Sequence, residues 1–470
     1  MKKTVAAMVG ALALAGACKE PLSAPSEDAI VAGSAQPVQN LVTGVVAQDR
    51  AAAGAFSYLL YPEGLARNAL RPDPNEPRFV SELIAVPSDP SAFIGGSGFN
   101  GYYTTIRAAN QLLSSPTYAA LSAGDKNATL GLVQTIKAIS YLRLLQLRDS
   151  LGASIQTEQS TVPDPLRTKA AVLTFVSALL DSAYTSLTAG GVSATVPVAV
   201  PSGYKLNGDF SLTSNLAKYN RGLKGETEVY RLLDHQSPCQ ACAATAITAL
   251  NLATAGLGAT PTAAQLAFGP YNEFNPSAPE SFATPIADIR IYLTDNFVQS
   301  IQAGDLRSSK IVKASGPSVT SGGLSQALTF KSPLTEPTNQ TRPIPVRRAA
   351  LWYLLRAQAE AASGNLAGAA VDVSAVRTAE GGLPAVAGFA TMADAQAAIL
   401  YDYRYSFLFE GPYYLVALRE YSALTKAYVS LPGMPTIKTD PNHASDPLQT
   451  TLPIPQGEAT ARKGDVTPKP

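Results

Sequence analysis

Apolar residues return every three or four positions on both sides of Ser363-Gly364-Asn365, which predicts two helices, Ala349–Ala362 and Leu366–Ala379. Gly takes a positive φ without steric cost and Asn tolerates it, so this break stops the first helix and folds the two into an antiparallel hairpin. Ala357, Gly364 and Ala369 fall where a tetratricopeptide repeat needs small residues, although Arg356 and Val376 depart from its pattern. The same period predicts a helix over Thr129–Leu147, with Val133, Ile136, Leu144 and Leu147 on one face. Another runs over Lys169–Leu187, with Val172, Phe175, Val176, Leu179, Ala183 and Leu187 in one sector. A further pair is predicted at Asn215–Leu233 and Gln240–Thr254, and a weaker helix, interrupted by Gly54, over Leu41–Leu60. The helix pairs recur while their sequences do not repeat cleanly, which describes a divergent helical-repeat scaffold.

From Gly256 to about Pro345 the pattern breaks. Pro, Gly, Thr, Ser and aromatics dominate, helical period survives only around Ile286–Ile301, and Ile311-Val312 and Leu328–Lys331 read as short strands. A long irregular stretch inside a packed domain is usually a functional one or a disordered one. The expected fold is therefore mainly α: tetratricopeptide-like helix pairs forming a scaffold, a loop-rich region over 256–345, and a few short strands. Residues 46–470 are read as that one domain.

The N-terminus adds a location. Lys2-Lys3 precede an apolar run, Val5–Ala15, too short to span a bilayer, and the run ends Leu14-Ala-Gly-Ala-Cys18. Small residues directly before a cysteine look like a bacterial lipobox. Residues 1–17 are then a lipoprotein signal peptide, Cys18 is the lipidated residue, and Pro/Ser/Ala-rich residues 18–45 are a flexible tether. An ordinary secretory signal cut near Ala17 is the alternative. No other window reads as a transmembrane span. With Cys18 acylated, Cys239 and Cys242 have only each other, and outside the cytoplasm such a pair can close a local disulfide. Redox catalysis would call for a preceding strand, and zinc for a second ligand pair; neither is seen.

Charge and chemistry mostly exclude. Thirty-six basic and 35 acidic residues leave a net charge of +1, so nothing recommends nucleic acid as a partner. His235 and His443 are the only histidines, neither accompanied by a nucleophile motif, and no phosphate loop or metal-ligating motif is present. No catalytic residue, cofactor or metal is expected. Asp440–Asp446 is rich in oxygen ligands but lacks calcium-loop spacing and reads as a polar turn. For binding, the candidates are aromatics in loops: Phe93, Tyr271, Phe274 and Phe282, each with burial as a loop anchor as its alternative role. Trp352, the single tryptophan, lies inside a predicted helix, so no tryptophan platform for a sugar is available.

Several segments together resemble the SusD/RagB outer-membrane lipoproteins. Arg356-Ala-Gln-Ala-Glu-Ala361 matches their alanine- and glutamate-rich helix end, and Arg404 with Phe409-Glu410-Gly411 matches their Arg…Phe-Glu-Gly segment. Phe99 through Asn110, Lys137-Ala138 with Tyr141 and Gly152, Asp305-x-Arg307 and Leu452-Pro-Ile-Pro455 extend the resemblance from about residue 55 to the end. Tyr403, Ser406, Tyr413 and Val416-Ala417 depart from it. The resemblance implies a lipoprotein held in the outer-membrane bilayer by its anchor, facing the exterior, with no enzyme activity. It would bind a nutrient (glycan, peptide or other oligomer) and deliver it to a SusC-like TonB-dependent outer-membrane transporter. The helix pairs would dock on that transporter while loops around 88–100 and 256–285 face the ligand. The rival readings are a lipid-anchored helical-repeat adaptor for protein–protein interaction and a secreted hydrolase.

Overall fold

The computed structural model describes residues 38–84, 88–91, 94–156, 163–275, 283–315, 318–437 and 448–470. Cys18, Phe93, Phe282 and the Asp440–Asp446 stretch lie outside the described residues.

The longer helices are α1 (Val38–Ala53), α2 (Asn100–Ser114), α3 (Ala123–Arg148), α4 (Lys169–Leu187) and α5 (Thr213–Leu232). They continue with α6 (Cys242–Ala253), α7 (Ala349–Ala362), α8 (Leu366–Gly381), α9 (Met392–Ser406) and α10 (Tyr413–Glu420). Packing follows sequence order: α1 on α2, α3 on α4, α4 on α5, α5 on α6 and α7 on α8, with α7 also against α5 and α6. One continuous apolar core runs through these pairs.

Helix ends follow local chemistry. Ser122 caps α3 by accepting from the Asp125 N–H at 3.2 Å, and Thr168 caps α4. Gly364 takes φ +85° at the turn between α7 and α8, and Asn365 then caps α8 through the Gly368 N–H at 3.1 Å. Arg356, the departure from the repeat pattern, fastens this hairpin: its Nη2 lies 2.6 Å from Asp372 Oδ1 on α8. Between α5 and α7 the approach is closer than most residues permit. A Cβ on Gly222 would sit 2.3 Å from the Trp352 Nε1, so the buried tryptophan packs directly on helix backbone.

Three sequence expectations need correction. The tether was expected to reach residue 45, but α1 begins at Val38, because Val42, Val45 and Val46 form an apolar stripe that buries against α2. Within Ile286–Ile301 a short strand, Tyr292–Leu293, and a short helix, Asp295–Gln299, replace the expected helix. Thr294 caps that short helix through the Phe297 N–H, which fixes the switch from strand to helix. Finally, α4 is long and apolar enough to cross a membrane, although it packs between α3 and α5.

The irregular region contributes most of the strands. β1 (Ala69–Leu70), β3 (Tyr292–Leu293), β5 (Phe330–Lys331) and β4 (Val312–Lys313) form one antiparallel sheet in that order. β2 (Tyr271–Asn272) pairs antiparallel with β6 (Ile344–Pro345), Tyr271 opposite Pro345 and Asn272 opposite Ile344. This second pairing anchors residues 271–275 beside the segment that leads into α7.

Candidate functional site

One face of α1 presents Thr43, Val46, Ala47 and Arg50, spaced three and four apart, to a cleft of about 690 Å³. The opposite wall is residues 199–202, with Tyr204 beneath them; the third side is β2 and the residues after it, through Asn275. Hydrogen bonds tie these walls together. The Gln39 amide donates to the Ala199 carbonyl at 3.0 Å and accepts from the Ala199 N–H at 2.6 Å, joining the start of α1 to the second wall. Ser202 Oγ donates to the Glu273 carboxylate, and Arg50 Nη1 donates to the Glu273 carbonyl at 3.4 Å. Gly203 lets the second and third walls close up: a Cβ there would meet the Tyr271 carbonyl oxygen at 2.3 Å.

The lining mixes polar and apolar residues on the same walls. Val46, Ala47, Val200 and Pro201 offer hydrocarbon, while Asn272, Asn275, Ser202, Thr43 and Thr341 offer amides and hydroxyls. Arg50 and Glu273 are the charged residues that line it, one of each sign. The cleft's size and its mix of apolar surface with a few convergent polar groups fit a small-ligand site.

Of the four aromatics singled out in the sequence, the structure brings Tyr271 and Phe274 to this cleft, but not as open rings. Tyr271 is 9% exposed and Phe274 5%, since the β2–β6 pairing draws both into the core. The Tyr271 hydroxyl donates to the Ala267 carbonyl at 3.0 Å, and burial pushes its pKa up to about 12, so it stays protonated at neutral pH. Replacing these two rings would open voids in the core. The polar residues Arg50, Ser202, Asn272 and Glu273 escaped sequence reasoning. The only signal was Asn272-Glu273 lying between the two aromatics. Cys239 and Cys242 are joined as a disulfide at the entry to α6, away from the cleft lining. Among the described residues no cluster of three His, Cys, Asp or Glu is placed to hold a metal ion.

No family model matches the sequence, and no curated protein matches it. Solved structures do. A SusD-like carbohydrate binding protein from Bacteroides vulgatus superposes with a TM-score of 0.66 at 14% identity, over 92% of this chain and 98% of its own. A SusD superfamily protein from Bacteroides fragilis gives 0.66 at 14%, over 91% and 97%. A structure described as being with xylogluco-oligosaccharide gives 0.68 at 12%, over 93% and 98%. The chain has the SusD-like fold. Of the residues that carried the sequence resemblance in this SusD-like chain, Asp305, Arg307 and Glu410 sit in buried ion pairs that hold the scaffold. Arg348 Nε lies 2.7 Å from Glu410 Oε2, and Arg348 also pairs with Glu380 on α8. Arg307 bridges Asp305 at 2.8 Å and Asp402 on α9 at 2.7 Å. Phe409 adopts φ +59°, and its N–H donates to Glu63 Oε1 at 3.1 Å. Burial pushes the Glu63 pKa up to about 7.

Proposed function

We propose that this protein is a lipid-anchored binding protein of the outer cell surface that captures a short oligosaccharide in the cleft beside α1 and β2. It passes that ligand to a SusC-like TonB-dependent outer-membrane transporter, and the helix pairs form the surface on which the transporter docks. The observation that carries this reading is the cleft itself. Amides and hydroxyls alternate there with hydrocarbon, matching a sugar's hydroxyl edge and C–H faces. Two structures with the same fold support the ligand class through what is said of them, one as carbohydrate binding and one with xylogluco-oligosaccharide. The short apolar N-terminal run ending in Cys18 supports the anchor.

A panel of oligosaccharides and peptides titrated calorimetrically into the full chain in detergent tests the assignment. Oligosaccharides should bind and peptides should not, and Ala47→Trp, which fills the cleft from an exposed position on α1, should abolish the heat. Binding that survives Ala47→Trp unchanged, or binding confined to peptides, would overturn it.

A further inference from the structure

The cleft's two charges are coupled through one residue, and that coupling bears on which ligands fit. Arg50 donates to the backbone carbonyl of Glu273, and the carboxylate of the same Glu273 accepts from Ser202. Among the described residues Ser202 is the one donor to that carboxylate, and with about four acceptor sites on a carboxylate Glu273 has capacity for further donors. We infer that the cleft selects neutral, hydroxyl-rich oligosaccharides and rejects acidic ones, with Glu273 as the specificity-determining residue. This rests on the reading that the cleft is where ligand binds.

Among the described residues Arg50 is the only cation in the lining. An acidic sugar drawn toward that guanidinium arrives beside the Glu273 side chain, so attraction and like-charge repulsion come together. Burying two carboxylates in one cleft is costly, and an interface that places a like charge against the wrong partner gains specificity by repulsion. A neutral ligand meets no such conflict. Its hydroxyls donate to Glu273 and accept from Arg50 and the amides of Asn272 and Asn275, while its C–H faces lie on Val46, Val200 and Pro201. Aromatic stacking adds little, because Tyr204, Tyr271 and Phe274 are buried below the walls. Shape and charge balance therefore govern the choice.

The test uses two probes of equal ring number, a xylogluco-oligosaccharide and an oligogalacturonide, titrated into the full chain and into Glu273→Gln and Ala47→Trp. A glutamine side chain keeps the shape and an acceptor for Ser202, removes the charge and exchanges one acceptor oxygen for an NH2 donor, so the effect of charge is read from acidic binding relative to neutral binding. The native chain should bind the neutral probe and not the acidic one. Glu273→Gln should raise acidic binding relative to neutral binding by about tenfold or more. Equal binding of both probes by the native chain, lost in Ala47→Trp, would overturn the charge selection while leaving the cleft as the site. The same holds if Glu273→Gln leaves the acidic probe excluded. Binding that Ala47→Trp does not disturb, or no binding of either probe to any variant, would overturn the site and the selection together.

Discussion

Glu420 closes α10 with neither carboxyl oxygen hydrogen-bonded to any described residue, although the residue is only 5% exposed. Its charged surroundings are Lys169 from α4, Asp149 just beyond α3, Glu226 on α5 and its own neighbour Arg419, with Tyr230, Tyr403 and Tyr421 close by. Burial is the dominant cause of a pKa pushed up to about 8 from 4.5; Asp149 and Glu226 raise it further, and Lys169 and Arg419 oppose. Between those two values the folded chain keeps a proton that the unfolded chain has released. Stability from this group is thus full below pH 4.5 and is lost as pH rises through about 8, by at most about 1.4 kcal/mol per pH unit. Calorimetric Tm values from about pH 5 to about pH 9 should fall less steeply in Glu420→Gln than in the native chain. Parallel curves would show that Glu420 does not carry the proton. Nothing near position 420 in the sequence marks this residue, because its state is set by groups as distant as Asp149 and Glu226.

At the scale of elements, α3, α5 and the entry to α7 meet through a buried polar network rather than apolar contact alone. Arg347 Nε lies 2.9 Å from Glu226 Oε2 and its Nη1 donates to the Tyr58 hydroxyl at 2.8 Å. Gln146 and Tyr230 also donate to Glu226, at 2.7 and 2.9 Å. A buried pair broken on one side leaves an uncompensated charge, so Glu226→Ala should cost about 3–5 kcal/mol. Glu226→Leu combined with Arg347→Met should restore most of that, as read from denaturant midpoints; a double variant as unstable as the single one would mean the network, not the stranded charge, sets the cost. The helices themselves were legible in the sequence, often to within two residues, because each carries its apolar stripe and several carry their cap. The expected Lys169–Leu187 matches α4 at both ends. The network was not legible, since positions 58, 146, 226 and 347 become neighbours only once the helices pack.

For the whole molecule, the fold class and the loop-rich region were readable because period and composition change along the chain where the architecture does. The cleft was not. Its walls come from residues near 43, 200 and 272, and its polar groups belong to common residue types that form no motif. The surface location is a prediction at this scale: Cys18→Ser should move the protein from the membrane to the soluble fraction on cell fractionation, because the acyl chains on that cysteine would supply the membrane affinity. Unchanged recovery from the membrane would refute acylation at that cysteine. If Cys18 does carry the anchor, the position of α1 acquires a mechanical meaning. Val38 is then the first described residue on the chain that leads from the bilayer, and the next residue, Gln39, bonds across to Ala199. Anchor, α1 and cleft wall then follow one another along the chain, so a pull transmitted to α1 is shared between the cleft wall at Ala199 and the packing of α1 on α2.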